Sequence, residues 1–260
     1  MGNTVALSNE KPLSFSEQLM AKLDENEAGL PATLNKQRFV TNALALLNDT
    51  EGLQDVSKPV LMSTLMKCAM MDVDAWRGEA FIIPYNSKKG KVLDFQLSYT
   101  GCMKIALKHS LRPIKEIGAD LVREGDELEV TVDGDNTNFV FKPKLSDNKI
   151  IGAICWIRYE DGTTSLERMT FRELENARKA SKAPNSPAWS RFPEQMYKKT
   201  ILKRATKKIQ TDLGVEQQRI WNADGAIDTD KKPVVVDNPF ADEGNIVDGE
   251  AVEVVNDAEQ

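Results

Sequence analysis

The sequence predicts an α+β fold in which a small antiparallel β-sheet with hairpins is packed by helices. Apolar residues recur at helical spacing before residue 70 and again after residue 170, and the segment between them has mostly a strand pattern. Residue pairs that favour tight turns separate the strand candidates. Helices and strands that are grouped in separate parts of a chain are typical of the α+β class.

Three helices are predicted in the N-terminal part. One runs from about Phe15 to Glu27, and a second, with apolar positions at helical spacing, runs from about Asn35 to Leu47. The third begins near Ser57, which can cap it, and continues through Met70. Pro59 fits this prediction because a proline is tolerated in the first turn of a helix.

A hairpin and a fourth helix are predicted next. Ala80–Tyr85 and Lys91–Leu97 have the composition of two strands, and residues 86–90 join them as a hairpin loop. Tyr99–His109 then has the apolar spacing of a helix.

The segment from Ile114 to Met169 has mostly a strand pattern. Asp133-Gly134 predicts a turn, and Asp161-Gly162 predicts a hairpin. The strand candidates inside this segment are Leu128–Val132, Asn138–Phe141, Ile150–Tyr159 and Thr164–Met169.

A capping box marks the start of the C-terminal helical part. Thr170 is followed three residues later by Glu173, which predicts a helix from Thr170 to about Ala180. Residues 181–190, which include two prolines, are predicted as a loop. Pro193 then opens a helix that runs to about residue 210.

Charge is distributed unevenly along the 260 residues. The formal net charge is −6 at pH 7, but residues 167–208 contain twelve basic and four acidic side chains, a net charge of +8. Residues 224–260 contain two basic and eleven acidic side chains, a net charge of −9. A basic body with an acidic tail suggests a polyanion as the partner. Residues 222–260 have no sustained helical or strand period, so we expect them to form a flexible, disordered acidic tail.

Several classes of protein find no support in the sequence. No run approaches the roughly 18 apolar residues that span a bilayer, and residues 1–10 lack the features of a secretory signal, so we expect a cytoplasmic protein without a membrane partner. The three scattered cysteines are expected to be buried and reduced. There is no Walker-type phosphate loop, and His109 is the only histidine. We therefore expect no covalent catalysis, no metal site and no cofactor.

Two other functions stay open at this point. Asp72, Asp74 and Glu79 could form the acidic site of a metal-dependent nuclease, although the same residues also fit a solvated turn. The chain could instead be a scaffold whose basic helix binds an acidic protein.

The segment 186–208 carries the strongest indication of binding chemistry. It interleaves Trp189, Phe192 and Tyr197 with many lysines and arginines. Lys199 and Lys203 lie one helical turn apart, so they can form a charged stripe. Such a stripe can follow a phosphate backbone, and aromatic faces can stack on bases. The same pattern also fits a solvated amphipathic helix with packed aromatic anchors.

A second basic patch comes from the predicted hairpin loop and the fourth helix. The loop contains Lys88-Lys89-Gly90-Lys91, and the helix contains Lys104 and Lys108 one turn apart. The loop alone would fit a solvated turn. Three basic elements that flank one small sheet favour a groove for nucleic acid.

Four short segments carry a resemblance to a known family. They are AFIIPY at Ala80–Tyr85, QLSYTG at Gln96–Gly101, SPAW at Ser186–Trp189 and MYKKT at Met196–Thr200. In order and spacing they resemble the successive motifs of the RecT family, the phage and prophage recombinases of the RecT/Redβ single-strand annealing class. The resemblance extends over roughly Leu34 to Asp212.

The resemblance implies a fold and a function. Its implied fold is a small antiparallel sheet packed by helices, like the annealing core of Redβ and distantly like that of Rad52. Its implied activity is ATP-independent binding of single-stranded DNA and annealing of complementary strands, by a ring or helical filament, in phage recombination. The implied partners are single-stranded DNA, the annealed duplex, other copies of the chain, a 5′–3′ exonuclease and the host single-stranded DNA-binding protein.

This interpretation divides the chain into three parts. Residues 1–33 are expected to be a helical segment that contacts a neighbouring subunit, residues 34–221 the DNA-binding annealing core, and residues 222–260 the acidic tail. The tail is expected to solubilise the protein, to compete for the basic groove, to dock a partner, or to have no specific role.

The predicted DNA site combines cations, aromatic residues and one amide. The cations would neutralise phosphates, Tyr99 and the other large side chains would shape the groove or contact bases, and Gln96 would supply a hydrogen bond. The complete predicted site consists of Lys88, Lys89, Gln96, Tyr99, Lys104, Lys108, Trp189, Arg191, Phe192, Met196, Lys198, Lys199, Lys203 and Arg204.

Overall fold

A computed structural model describes residues 13–87, 90–134, 136–181 and 183–224 of the chain. It confirms an α+β protein with small antiparallel sheets packed by helices. The single predicted sheet is instead three separate sheets of two, three and two strands. The predicted hairpin loop around Lys88 and most of the predicted acidic tail lie outside the described residues.

Eight α-helices and one short 3₁₀ helix form within the described residues. Their capping agrees with the sequence at Thr170, whose side chain accepts a hydrogen bond from the backbone N–H of Glu173 while the Glu173 carboxylate binds back to Thr170. The α-helices are α1 (Phe15–Glu25), α2 (Lys36–Asp49), α3 (Lys58–Met70), α4 (Tyr99–His109), α5 (Phe171–Lys179), α6 (Pro187–Arg191), α7 (Pro193–Lys207) and α8 (Val215–Ala223), and the 3₁₀ helix is Glu27–Gly29.

In the described part of the chain, seven strands form three sheets, and all of their pairings are antiparallel. The first two strands pair only with each other, the next sheet has the order β3-β6-β7, and β4 pairs with β5. Gly162 has a φ of +87° in the predicted turn between β6 and β7, as tight hairpin turns require. The strands are β1 (Ala80–Ser87), β2 (Gly90–Leu97), β3 (Ile114–Arg123), β4 (Glu127–Asp133), β5 (Asn136–Lys142), β6 (Ile150–Tyr159) and β7 (Thr164–Thr170).

Two short helices were not predicted. Helix α6 forms inside the expected loop 181–190, because Pro187 occupies its first turn and Trp189 is buried against the body. Helix α8 follows α7, and its two buried residues, Ile220 and Trp221, hold it against the fold. The described body therefore includes residues 222–224, the first three residues of the predicted tail.

The first hydrophobic core lies among the N-terminal helices and one face of the β1–β2 hairpin. It contains Leu19 and Leu23 of α1, Met66 of α3, and Ile82 of β1, and Trp221 of α8 closes it. Helix α1 thus packs in the same core as α2 and α3. A subunit contact made by residues 1–33 stays a prediction.

The second hydrophobic core lies between the β3-β6-β7 sheet and the C-terminal helices. Leu174 of α5 and Ile201 of α7 are fully buried there, opposite Cys155 of β6. Helix α4 touches both cores, because Ile105 belongs to the first and Ala106 to the second. Helix α4 also packs against α7, so the two helices are neighbours where the two cores meet.

Candidate nucleic-acid interface

Helix α7 carries the densest run of basic residues, and much of it is buried in the second core. Tyr197, Ile201 and Ala205 along this helix are all buried. Of the seven basic residues from Arg191 to Lys208, five form ion pairs with acidic residues of surrounding elements. Most of the positive charge of α7 is therefore neutralised within the fold.

The most enclosed of these ion pairs involves Asp224. Its carboxylate, only 2% exposed, lies 3.0 Å from the Lys203 ammonium and 3.4 Å from that of Lys207. Asp224 also accepts a hydrogen bond of 2.7 Å from the backbone N–H of Leu97 at the end of β2. The Lys207 ammonium lies over the Trp221 ring, 3.7 Å from its centre, and burial lowers the pKa of Lys207. This cluster ties the end of α8 to α7 and to the β1–β2 hairpin.

The remaining paired cations of α7 lie nearer to solvent. Lys198 binds Asp120 of β3 at 2.8 Å, and Arg204 binds Glu167 of β7 at 2.8 Å. The side chains of Lys198 and Arg204 are 35% and 37% exposed. The Lys198–Asp120 pair is exposed on both sides and contributes little stability, so a phosphate can compete for Lys198. Glu167 is only 16% exposed, but it also binds Lys208 at 2.7 Å and so keeps a counter-charge when Arg204 meets a phosphate.

Lys104 and Lys108 on α4 bind the acidic turn that precedes β1. The Lys104 ammonium lies 2.8 Å from Glu79, and that of Lys108 lies 2.8 Å from Asp72. Asp74, the third candidate nuclease carboxylate, accepts hydrogen bonds from Asn42 and from a backbone N–H. Two of the three carboxylates are thus neutralised by lysines, and no group of three potential metal ligands occurs among the described residues. The nuclease alternative gains no support here.

An exposed strip remains on the N-terminal part of α7. Phe192, at its cap, is 62% exposed, and Gln195 and Lys199 follow on the same side of the helix, because seven residues make about two turns. The Lys199 ammonium lies 5.6 Å from the centre of the Tyr99 ring at the start of α4. We call Phe192, Gln195, Lys199 and Tyr99 the open strip.

Arg191 directly precedes the open strip. It is exposed and forms no ion pair with any residue of the described ranges, and the same is true of Lys199. These two predicted phosphate contacts are therefore available to a ligand without breaking an internal ion pair.

Close packing fixes where α4 begins. A Cβ atom at Gly101 would lie 2.0 Å from the backbone oxygen of Glu79, so only glycine fits at this position. The Ser98 hydroxyl caps the helix by accepting a hydrogen bond of 3.0 Å from the backbone N–H of Gly101. Tyr99 is thereby held at the edge of the strip.

Two predicted site residues face the second core. Trp189 is only 5% exposed and packs against Tyr197, with ring centres 5.7 Å apart, and Met196 is half-buried beside the same core. The Tyr197 hydroxyl donates to Glu175, and burial with this contact raises the pKa of Tyr197 to about 12. Trp189 anchors α6, and Tyr197 ties α7 to α5.

The outer face of the β1–β2 hairpin carries side chains that the predicted site left out. Phe81 and Tyr85 are 51% and 41% exposed, and Gln96, which was predicted, lies directly opposite Phe81. Gln96 donates a hydrogen bond of 2.6 Å to Asp94. The sequence of β1 could have indicated this face. Its apolar residues stand at consecutive positions, and successive side chains of a strand point to opposite faces, so apolar side chains had to lie on the exposed face as well.

The predicted site residues thus fall into separate groups. The structure brings Tyr99 and Lys199 into contact and places Phe192 and Arg191 at the far end of the same strip. It directs Lys104 and Lys108 to the acidic turn and Lys203 to Asp224. Lys88 and Lys89 lie outside the described residues. Whether any of these residues contacts DNA stays a prediction.

Comparison with known proteins identifies the family. A model of the RecT family matches residues 37–237. The chain belongs to the RecT family. It is also similar to Protein RecT of Escherichia coli (strain K12), with 26% identity over 239 residues, which covers 89% of this chain and 85% of that protein.

Membership of the RecT family supports a role in DNA recombination that involves DNA binding and strand annealing. Among the described helices, none combines the length and the apolar character needed to span a membrane.

Proposed function

We propose that this protein binds single-stranded DNA and anneals complementary strands without ATP, as an oligomer or filament, during phage homologous recombination. It acts by holding strands and not by covalent catalysis. We further propose that it works in the cytoplasm beside a 5′–3′ exonuclease and the host single-stranded DNA-binding protein. The membership of the RecT family supports this proposal.

The observation that carries the proposal is the open strip. Lys199 in the strip and Arg191 directly before it present exposed cations, and the exposed Phe192 and the half-buried Tyr99 present aromatic surface beside them. Cations that follow a backbone together with aromatic rings that receive bases are the usual means of binding single strands without sequence preference. The cations give affinity that depends on salt and not on sequence.

Annealing requires that the base edges remain free to pair. A protein that holds mainly phosphates leaves those edges open, because phosphate contacts carry no sequence information. Lys198 and Arg204 fit this role as secondary contacts, since they can exchange Asp120 and Glu167 for phosphates at little cost. Lys203 and Lys207, which flank the buried Asp224, serve the fold in this proposal.

The test is the rate at which two complementary oligonucleotides form a duplex, with and without the protein and in the absence of ATP. We expect acceleration, with both strands intact in length after incubation with Mg²⁺. Shortened strands would favour the nuclease alternative. Failure to bind single-stranded DNA at low salt would instead favour a scaffold that binds only proteins.

The matched comparison is Phe192→Ala/Lys199→Gln against Lys58→Gln. Lys58 is an exposed lysine in the first turn of α3, in the helical part of the chain. The double variant should anneal more slowly than the wild type, and the Lys58 variant should not. Equal rates for all three proteins would contradict the assignment of the open strip.

A further inference from the structure

The end of the described chain lies next to the open strip. Asp224, its last residue, contacts Lys203 of α7 and the backbone of Leu97. Lys203 is one helical turn, about 6 Å along the axis, from Lys199. Tyr99, the partner of Lys199, is two residues after Leu97. The point at which the described chain ends therefore lies a short distance from the strip.

The chain that follows is strongly acidic. Residues 225–260 contain ten acidic and two basic side chains, and residues 233–260 contain eight acidic and no basic ones. An extended chain covers up to about 3.5 Å per residue, so the nine residues from Asp224 to position 233 can span roughly 30 Å. The acidic segment is thus long enough to reach Lys199 of the open strip, and Arg191 beside the strip, from its point of attachment.

Asp224 is an acidic residue at the start of this region, and it forms ion pairs with α7. It is the first of the eleven acidic residues between positions 224 and 260, and its carboxylate already binds two lysines of the basic helix. Lys199, one turn further along the same helix, is exposed and has no carboxylate partner among the described residues. The acidic residues that follow Asp224 therefore have a cation of opposite charge, Lys199, available to them on the same helix.

We propose that the acidic segment 233–260 binds the open strip of its own chain and competes there with single-stranded DNA. The inference rests on the proposed function, because it requires that DNA uses the same strip. Covalent attachment gives the segment a high effective concentration at the strip, so weak individual ion pairs suffice for competition. The segment acts as a built-in polyanion that DNA has to displace.

The competition has a signature in the salt dependence of DNA binding. DNA that binds free cations releases counterions, which gives a slope of about −0.7 per contact in a plot of log affinity against log salt. When carboxylates already occupy these cations, DNA has to displace the carboxylates, which then take up counterions themselves, so the net release of ions is smaller. Removal of the competing charges should therefore tighten DNA binding at low salt and make the slope steeper.

The test uses the full chain with four neutralised acids, Asp242→Asn, Glu243→Gln, Asp248→Asn and Glu250→Gln. The control neutralises four exposed acids of the body, Glu51→Gln, Glu124→Gln, Glu129→Gln and Glu160→Gln, which changes the net charge by the same amount. We expect the tail variant to bind a single-stranded oligonucleotide on the order of 3- to 10-fold more tightly than the wild type, with a steeper slope. The control should change affinity much less.

A double-mutant cycle identifies the surface. Combined with Lys199→Gln, the four tail substitutions should give a smaller gain than they give alone, because the cation they release is gone. Equal gains for the tail variant and the body control would overturn the inference and leave DNA binding by the strip intact. Absence of DNA binding by every variant would overturn the proposed function as well.

Discussion

In the C-terminal half of α7, Lys203 and Lys207 are largely enclosed and share the carboxylate of Asp224. In its N-terminal half, Lys199 is exposed and lies over an aromatic ring. These lysines are alike in sequence, but Lys203 and Lys207 are paired inside the fold whereas Lys199 stays exposed. A basic helix is therefore not a binding surface along its whole length: burial and ion pairing decide which cations remain available to a ligand.

The strongest contrast along α7 is between its buried and exposed apolar side chains. Ile201→Ala should lower the free energy of unfolding by about 2–5 kcal/mol, because Ile201 is fully buried and its truncation leaves a cavity. Phe192→Ala, at a 62% exposed position, should change it by less than about 0.5 kcal/mol. Urea denaturation measures both. A similar loss for the two variants would show that Phe192 supports the fold.

The next contrast concerns the ion pairs. Asp224→Asn should lower the free energy of unfolding by roughly 3 kcal/mol, because it leaves two enclosed lysines without their counter-charge. Asp55→Asn, which removes the 69% exposed partner of Lys91, should cost at most about 1 kcal/mol. The same denaturation experiment compares them. Equal costs would mean that the Asp224 cluster is solvated.

Substitution of the exposed Lys199 should affect DNA binding and leave the free energy of unfolding nearly unchanged. Lys199→Gln should weaken binding of single-stranded DNA about fivefold, equivalent to about 1 kcal/mol, and make the salt slope shallower by about 0.7. Its free energy of unfolding should stay close to that of the wild type, because Lys199 forms no ion pair with a described residue. Fluorescence anisotropy at several salt concentrations measures the affinity. An unchanged slope would exclude a phosphate contact.

A final expected effect, confined to alkaline pH, is a pH dependence of stability at Tyr197. Burial, and to a lesser extent the contact with Glu175, raises the pKa of Tyr197 from 10.0 to about 12. The native state therefore keeps the phenol proton to a higher pH than the unfolded chain. The free energy of unfolding should therefore fall as the pH rises from about 10 to about 12. Tyr197→Phe should reduce that slope in denaturation curves recorded at each pH. An identical slope would contradict the burial of this hydroxyl.

Local signals predicted the elements well. Tyr99–His109 forms the predicted helix with the same bounds, and the capping box at Thr170 starts α5 as expected, because both depend on residues close in sequence. Helix α8 was missed because its nine residues are stabilised mainly by Ile220 and Trp221, which pack against a distant core. Tertiary burial can form a short helix that its own sequence only weakly favours.

The candidate site was predicted less completely, because ion pairing joins residues far apart in sequence. Lys203 meets Asp224, and Lys108 meets Asp72, across separations that no local pattern reveals. The sequence shows that segment 186–208 is rich in basic residues, but it could not distinguish the cations that form ion pairs in the fold from those that stay exposed. The outward position of Phe81 similarly depends on which face of β1 the first core covers.

Helix α4 has a consequence for the whole molecule. Its neighbouring residues Ile105 and Ala106 face different cores, so each core uses this helix as one of its walls. Opening either core would expose part of the other, which couples their local unfolding. Backbone amides of α4 should consequently be among the slowest to exchange with solvent, and the two cores should melt as a single cooperative unit. Tyr99 is attached to the first turn of this shared helix.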